Sequence, residues 1–222
     1  MKNKKSKILL VDDHPIVRER LAELINQQAD LTVCSDCGDA TECWQLIEDQ
    51  QPDLAIVDLS LKTTPGLELI KDLKQRYPAL PVLVLTMHDE VLYAERALRA
   101  GARGYITKQE ATPTILKAIH NVLEGELYIS ESLARKLVGA LLGGPGAGAD
   151  RQALVLKQLT DRELEVFQLL GQVRGTRQIA DQLKIDIKTV ETYQHRLKEK
   201  FQISSLDELR QYATTMARNP TQ

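Results

Sequence analysis

Five side chains of this sequence could do chemistry together. They are Asp12 and Asp13, Asp58, Thr86 and Lys108, and each stands at or just past the end of a short apolar run. Taken singly, each has an ordinary explanation. Asp12 or Asp13 could cap the helix that Pro15 begins, Asp58 could form a turn, Thr86 could be a β-branched strand residue, and Lys108 could be a solvated loop lysine. As a set they mean more. Three crowded carboxylates need a cation, and an all-oxygen, partly hydrated donor set suits Mg²⁺. A metal-bound carboxylate flanked by a lysine can act as an aspartyl nucleophile toward a phosphoryl group. The metal and Lys108 would neutralise its equatorial oxygens, and Thr86 would hydrogen-bond one of them.

The elements that must bring these residues together alternate between strand and helix. Apolar runs at Ile8–Val11, Leu31–Cys34, Leu54–Leu59, Val82–Thr86 and Gly104–Thr107 read as strands. Leu54–Leu59 is almost wholly apolar, as in a strand buried on both faces. Between the runs, apolar residues at three-and-four spacing predict helices over 16–25, 40–47, 67–77, 91–100 and 115–123. Asp39 with Glu42 forms a capping box, and Thr112-Pro113 reads as a cap followed by proline in the first turn. Strict alternation with short connections predicts an α/β fold with a flavodoxin-like, doubly wound, five-stranded parallel sheet. Such sheets carry their chemistry at the carboxyl ends of the strands, where all five residues fall.

The chain has 222 residues, 43% hydrophobic and 27% charged, enough for one large or two ordinary cores. The apolar run after the basic N-terminus is too short for a signal peptide, and no run is long enough to span a membrane. The protein reads as cytoplasmic. Cys34 and Cys37 have CxxC spacing, but Cys43 is the only other cysteine, so neither a disulfide framework nor a zinc site is expected. Of the 29 Lys+Arg and 31 Asp+Glu, 12 and 9 lie from Arg151 onward, leaving 17 and 22 before it. An acidic front and a mildly basic tail fit a regulatory domain followed by a nucleic-acid module.

A helical pattern from Ser130 to Leu142, with Leu133, Leu137, Leu141 and Leu142 near one face, ends at Gly143–Ala149, a flexible linker composition. Domains are therefore placed at 1–128, 129–153 (connecting helix and linker) and 154–222. In the last, four helices are predicted. Thr160 and Glu163 box the first, the second runs over 177–183, Asp186 caps a third over 188–201, and Ser205 with Glu208 boxes a fourth through Ala217. On the third, Val190, Leu197 and Phe201 face a core, leaving Lys188, Glu191, Thr192, Gln194, His195 and Lys198 outside. A short helix, a tight connection and a longer exposed helix make a helix-turn-helix, whose second member enters the major groove. A four-helix protein-binding module fits the same pattern.

The front half resembles the receiver domain of two-component response regulators over essentially its whole length. The match rests on Asp12-Asp13, Asp58, Thr86, Lys108 after Gly-Tyr-Ile-Thr, and the Lys-Thr-Thr-Pro-Gly turn at Lys62–Gly66. The resemblance implies that a histidine kinase phosphorylates Asp58, that Asp13 and Asp58 bind Mg²⁺ directly, and that Asp12 helps through water. The backbone carbonyl of Ser60 would complete the set. Tyr105 falls at the aromatic switch position, turning inward when Thr86 is drawn to the phosphoryl group; a strand-end aromatic covering the core is the plainer reading. The tail, over 159–213, resembles the LuxR-type DNA-binding domain of NarL/FixJ regulators. It does so through Leu159-Thr160, Arg162-Glu163, Glu165-Val166, Gln178-Ile179-Ala180, Lys188–Thr192 and Lys198-x-Lys200-Phe201. That likeness implies phosphate contacts from Arg177, Lys184, Lys188 and Thr189, and base-edge contacts from Glu191, Thr192, Gln194 and His195. The last helix, 206–216, would dimerise. Many relatives carry lysine at Glu191, histidine at Tyr193 and glycine at Val173.

These features predict a phosphorylation-controlled transcriptional regulator that is not an enzyme, is partnered by a sensor kinase and double-stranded promoter DNA, and is a homodimer when phosphorylated. Two other readings stand beside it. A Mg²⁺-dependent phosphatase using Asp58 would want a carboxylate two residues on, where Ser60 stands, and no phosphate-binding Gly-rich loop with lysine occurs. A phospho-switched regulator acting through protein partners would fit a recognition helix in which Glu191 repels phosphates.

Overall fold

The structure, a computed structural model, describes residues 5–61, 64–87, 91–109, 111–142, 155–156 and 158–218. It forms two units, Met1–Leu142 and Gly143–Gln222. The Gly143–Ala149 linker, Lys62 and Thr63 of the turn after Asp58, and the side chains of Leu141 and Leu142 lie outside the described residues.

In the first unit the elements run β1 (Ser6–Val11), α1 (Pro15–Asn26), β2 (Leu31–Cys37), α2 (Ala40–Gln50), β3 (Leu54–Val57) and α3 (Gly66–Arg76). They continue as β4 (Val82–Thr86), α4 (Val91–Ala100), β5 (Gly104–Thr107), α5 (Ala111–Leu123), β6 (Tyr128–Ile129) and α6 (Glu131–Leu142). The strands form one parallel sheet in the order β2-β1-β3-β4-β5-β6. The sheet thus has six strands, not the predicted five. The sixth is two residues at the edge beside Gly104 and Tyr105, too short to show any periodicity.

Alternation along the strands sends side chains to two cores. Ile8, Leu10, Leu54, Ile56, Leu83, Leu85 and Ile106 pack with Leu21 and Ile25 of α1 and Ile115, Ile119 and Val122 of α5. The alternate residues face the layer of α2, α3 and α4, and β3 is buried along its whole length. Asp39 caps α2, its Oδ1 accepting from the N–H groups of Thr41 and Glu42, which is the forward half of the box expected with Glu42. The N-terminus of α5 differs. The helix already runs at Ala111, so Thr112 lies inside it and not before it; its side chain is outside the described residues.

Across the first core's outer edge, His120 of α5 sets Nε2 2.8 Å from Asp30 Oδ2, while its Nδ1 lies 2.7 Å from the Leu116 carbonyl. The Asp30 bond raises the His120 pKa above its ordinary 6.5, and the same bond lowers that of Asp30 below 3.8. Stability from His120 is therefore complete below its unfolded value and is lost as pH rises through the raised folded value. Stability from Asp30 is lost only as pH falls through its lowered value. The melting-temperature gap between the wild type and His120→Gln should be wider at about pH 5.5 than at about pH 8.5. An equal gap at both would show that the pair does not titrate this way.

The second unit holds α7 (Asp161–Gly171), α8 (Thr176–Leu183), α9 (Ile187–Phe201) and α10 (Leu206–Arg218). Phe167 stacks on Phe201 at 5.0 Å between ring centroids, and both meet Tyr212. The Thr160–Glu163 box forms in both directions. Glu163 is also buried against Lys200, whose Nζ lies 2.5 Å away. Burial pushes the Glu163 carboxyl up, but the bonds from Lys200 and Thr160 outweigh it and hold the carboxyl low. Asp186 occupies the N-cap of α9, yet its side chain makes no capping bond; its carbonyl accepts from Thr189 and Val190 instead. Ser205 Oγ accepts from the Glu208 N–H, but the bond returned to the Glu208 carboxylate is donated by the Ser204 N–H, not by Ser205.

The end of α7 explains why glycine belongs at residue 173. Arg174 N–H bonds the Leu169 carbonyl and Val173 N–H bonds the Leu170 carbonyl, the paired closure of a Schellman motif. That closure puts Val173 at φ +60, where a β-branched side chain is strained, and leaves it 74% exposed. Val173→Gly should therefore stabilise this unit by about 1 kcal/mol, the relief of a left-handed side chain. Urea denaturation would show it; a loss of stability would mean that Val173 makes packing the φ argument ignores.

Candidate functional site

The sheet order brings the predicted residues to one edge. Asp12 and Asp13 follow β1, Asp58 follows β3, Thr86 ends β4 and Lys108 follows β5; these four strands are neighbours in that order. After β1 the chain crosses to β2 on one side, then returns to β3 on the other, so the crevice between β1 and β3 opens where the acidic residues stand. Backbone bonds fix the loops: Asp58 N–H to the Val11 carbonyl at 2.8 Å, and Lys108 N–H to the Thr86 carbonyl at 2.7 Å. Gly66 closes the loop after Asp58, its N–H donating to the Leu59 carbonyl. A Cβ there would collide with the Asp58 carbonyl oxygen and the Leu59 backbone, so this close approach requires glycine.

Lys108 Nζ lies 2.6 Å from Asp12 Oδ2 and 2.7 Å from Asp58 Oδ2. Asp12 and Asp58 are buried, and Asp58 Oδ1 accepts from the Ser60 N–H at 3.2 Å. Burial and the nearby Asp58 charge push the Asp12 carboxyl up, against the bonds from Lys108 and the His14 N–H. Burial pulls the Lys108 ammonium down, but the attraction of Asp58 and Asp12 outweighs it, so its pKa stands above the ordinary 10.5. Thr86 is wholly buried. Tyr105 is 2% exposed, directed inward beside β4, where it pairs with Val84.

Three carboxylates against one ammonium leave the edge with excess negative charge. Oxygens of Asp12, Asp13 and Asp58 and a ring nitrogen of His14 all lie within 4.8 Å of one another. That hard-oxygen donor set, with its surplus charge, fits a Mg²⁺ ion. His14 was not singled out from sequence. Its Nδ1 is 2.6 Å from Asp13 Oδ1 and 3.2 Å from Asp12 Oδ1, and its position directly after the acidic pair was the only signal.

In the second unit, Arg177, Lys184, Lys188, Glu191, Thr192 and His195 are exposed, and Thr189 is partly so. Thr192 Oγ1 donates to the Lys188 carbonyl, and His195 Nε2 lies 3.5 Å from Glu199 Oε1. Gln194 departs from expectation. It is 5% exposed and donates from Nε2 to Thr176 Oγ1 at 3.2 Å, so it ties α9 to the start of α8 and does not reach outward. The buried stripe of α9 passes through Val190, Gln194 and Leu197, and Gln194 follows it.

An edge of buried carboxylates and a lysine on a doubly wound sheet, followed by a helix-turn-helix, is the arrangement of a two-component response regulator with a DNA-binding output. Comparison with known proteins agrees. Residues 8–120 match the response regulator receiver domain, and residues 157–213 match the luxR family of bacterial regulatory proteins. The chain belongs to the NarL/FixJ family of response regulators, phosphorylation-controlled DNA-binding transcriptional regulators. It is 40% identical to the transcriptional activator protein ExaE of Pseudomonas putida, over 91% of this chain and 92% of that one. It is 32% identical to the oxygen regulatory protein NreC of Staphylococcus carnosus, over 93% and 96%. Among solved structures, RcsB from Salmonella enterica serovar Typhimurium, bound to promoter rprA in the presence of phosphomimetic BeF3-, is 26% identical, with TM-score 0.62 over 95% of this chain and 99% of that one. No described helix is long and apolar enough to cross a membrane.

Proposed function

We propose that Asp58 accepts a phosphoryl group from a partner sensor histidine kinase in the cytoplasm, and that this controls dimerisation and DNA binding by the C-terminal domain. The observation that supports this best is the Lys108 ammonium, shared between Asp12 and Asp58 at the sheet edge. An Asp58 carboxylate oxygen attacks phosphorus, the new O–P bond replaces the P–N bond to the donor imidazole, and that nitrogen leaves with the bonding pair. Lys108 and the Thr86 hydroxyl meet charge on the transferring oxygens. Mg²⁺, held by Asp13, Asp58 and the Ser60 carbonyl, with Asp12 acting through water, would supply the rest of that charge. Drawing Thr86 toward the phosphoryl group favours the inward Tyr105, which biases the β4–β5 surface.

We assign residues 1–128 to the receiver, 129–153 to a connecting helix and linker, and 154–222 to the DNA-binding domain. On DNA, Arg177, Lys184, Lys188 and Thr189 contact phosphates, while Glu191, Thr192 and His195 approach base edges; Gln194 is withdrawn from that set. RcsB's promoter complex supports the DNA reading. Paired domains, joined through α10, would occupy half-sites about one helical turn apart or a multiple of it. Footprinting with beryllofluoride and Mg²⁺ should protect two such half-sites. Protection of a single unpaired half-site would refute the dimer.

A further inference from the structure

Asp12 is held from several directions. Its Oδ2 takes the Lys108 ammonium, its Oδ1 accepts from the His14 N–H at 2.8 Å, and its N–H bonds the Cys37 carbonyl at 3.1 Å. Its own carbonyl is taken by a side chain outside the acidic edge: Arg18 of α1, whose Nη1 donates to it at 2.5 Å. The same guanidinium donates from Nε to Asp36 Oδ2 near the end of β2, also at 2.5 Å. Arg18 is mostly buried, whereas Asp36 is about half exposed. An ion pair so open to water contributes little by itself. What the fork does is join three elements at one point, the ends of β1 and β2 and the first turns of α1. A lysine there has a single point of charge and cannot span both acceptors in a fixed plane.

We infer that Arg18 is a positioning residue for the cation site. By holding the Asp12 carbonyl, it fixes the peptide that leads into Asp13 and so sets where both carboxylates point. This rests on the reading of the acidic edge as a Mg²⁺ site. Charge and geometry make opposite predictions here. Removing a positive charge beside an acidic site strengthens its attraction for a cation. Removing a support for ligand orientation weakens it, by roughly 10-fold or more where such outer partners have been deleted. Arg18→Met therefore distinguishes the two by sign.

The test is an MgCl₂ titration of the full chain followed by amide chemical shifts, on wild type, Arg18→Met, Arg18→Lys and Asp36→Ala. The inference expects Arg18→Met to weaken Mg²⁺ by about 10-fold, with Asp36→Ala staying within about threefold of wild type and Arg18→Lys falling between. Unchanged or tighter binding in Arg18→Met overturns it. So does an equal loss in Asp36→Ala, which would make Arg18 a plain staple between α1 and β2. If Arg18→Met does not fold, Arg18→Lys against Asp36→Ala decides by the same order. A wild type that shows no saturable Mg²⁺ response refutes the cation site itself, an outcome distinct from a wild type that binds and variants that do not differ.

Discussion

Asp58→Asn should abolish phosphoryl uptake while leaving the fold intact. The amide keeps the shape of the side chain but offers no nucleophilic oxygen, and without that oxygen no O–P bond can form. Stability should stay within about 1 kcal/mol, because Lys108 keeps its 2.6 Å contact with Asp12 and the crowding of two buried carboxylates is relieved. That crowding is visible in Asp12, whose carboxyl is pushed up by burial and by the Asp58 charge. Asp12→Asn is the informative partner. It removes a carboxylate from the same edge but keeps the nucleophile, so uptake should weaken without vanishing. Phosphoprotein gels after treatment with a small phosphoryl donor would read both. Uptake by Asp58→Asn at the wild-type level would place the acceptor elsewhere.

Lys108→Met should lower the rate of phosphoryl uptake by about 10²–10³, the usual cost of deleting one preorganised charge from a reacting centre. Here the substitution also costs stability. Lys108 is the cation between Asp12 and Asp58, both buried, and its removal leaves two carboxylates facing each other with none between them. Breaking a buried pair from one side costs about 3 kcal/mol. The pH dependence follows from Asp12. Its folded pKa is already above its ordinary 3.8 and rises further without Lys108. A raised carboxyl stabilises the fold below that value and loses its contribution as pH rises through it. The deficit of Lys108→Met in urea denaturation should therefore shrink as the pH is lowered from neutrality. A deficit independent of pH would mean that the carboxylates find other partners.

Much of this was legible because the central strands β3, β4 and β5 are buried on both faces. The run Leu54–Val57 has no polar residue to confuse it, and Asp58 follows directly at its end. The helical domain was legible through its caps, of which Thr160 with Glu163 forms as expected. What escaped was what periodicity does not carry. A two-residue edge strand has no period. His14 and Arg18 act through contacts made by the turn of the chain, His14 to Asp12 and Asp13 and Arg18 to the Asp12 carbonyl and Asp36, and nothing in their spacing marks them. Gln194 shows a different failure. It lies four residues after Val190 and three before Leu197, squarely on the apolar stripe, and its polarity outweighed its position. The structure resolves the conflict by giving it Thr176 as a partner, as a buried amide requires. At Val173, by contrast, the missing glycine was noticed in the sequence, and its φ of +60 supplies the reason that glycine is usual there.

The central claim is that a phosphoryl group on Asp58 controls DNA recognition by the second unit. It is tested most directly by selecting genomic DNA fragments with the full-length protein, with and without beryllofluoride and Mg²⁺. The account predicts enrichment of a repeated motif in the activated sample alone. Equal enrichment in both samples would contradict phosphorylation control, and no enrichment in either, from folded protein, would contradict DNA as the target.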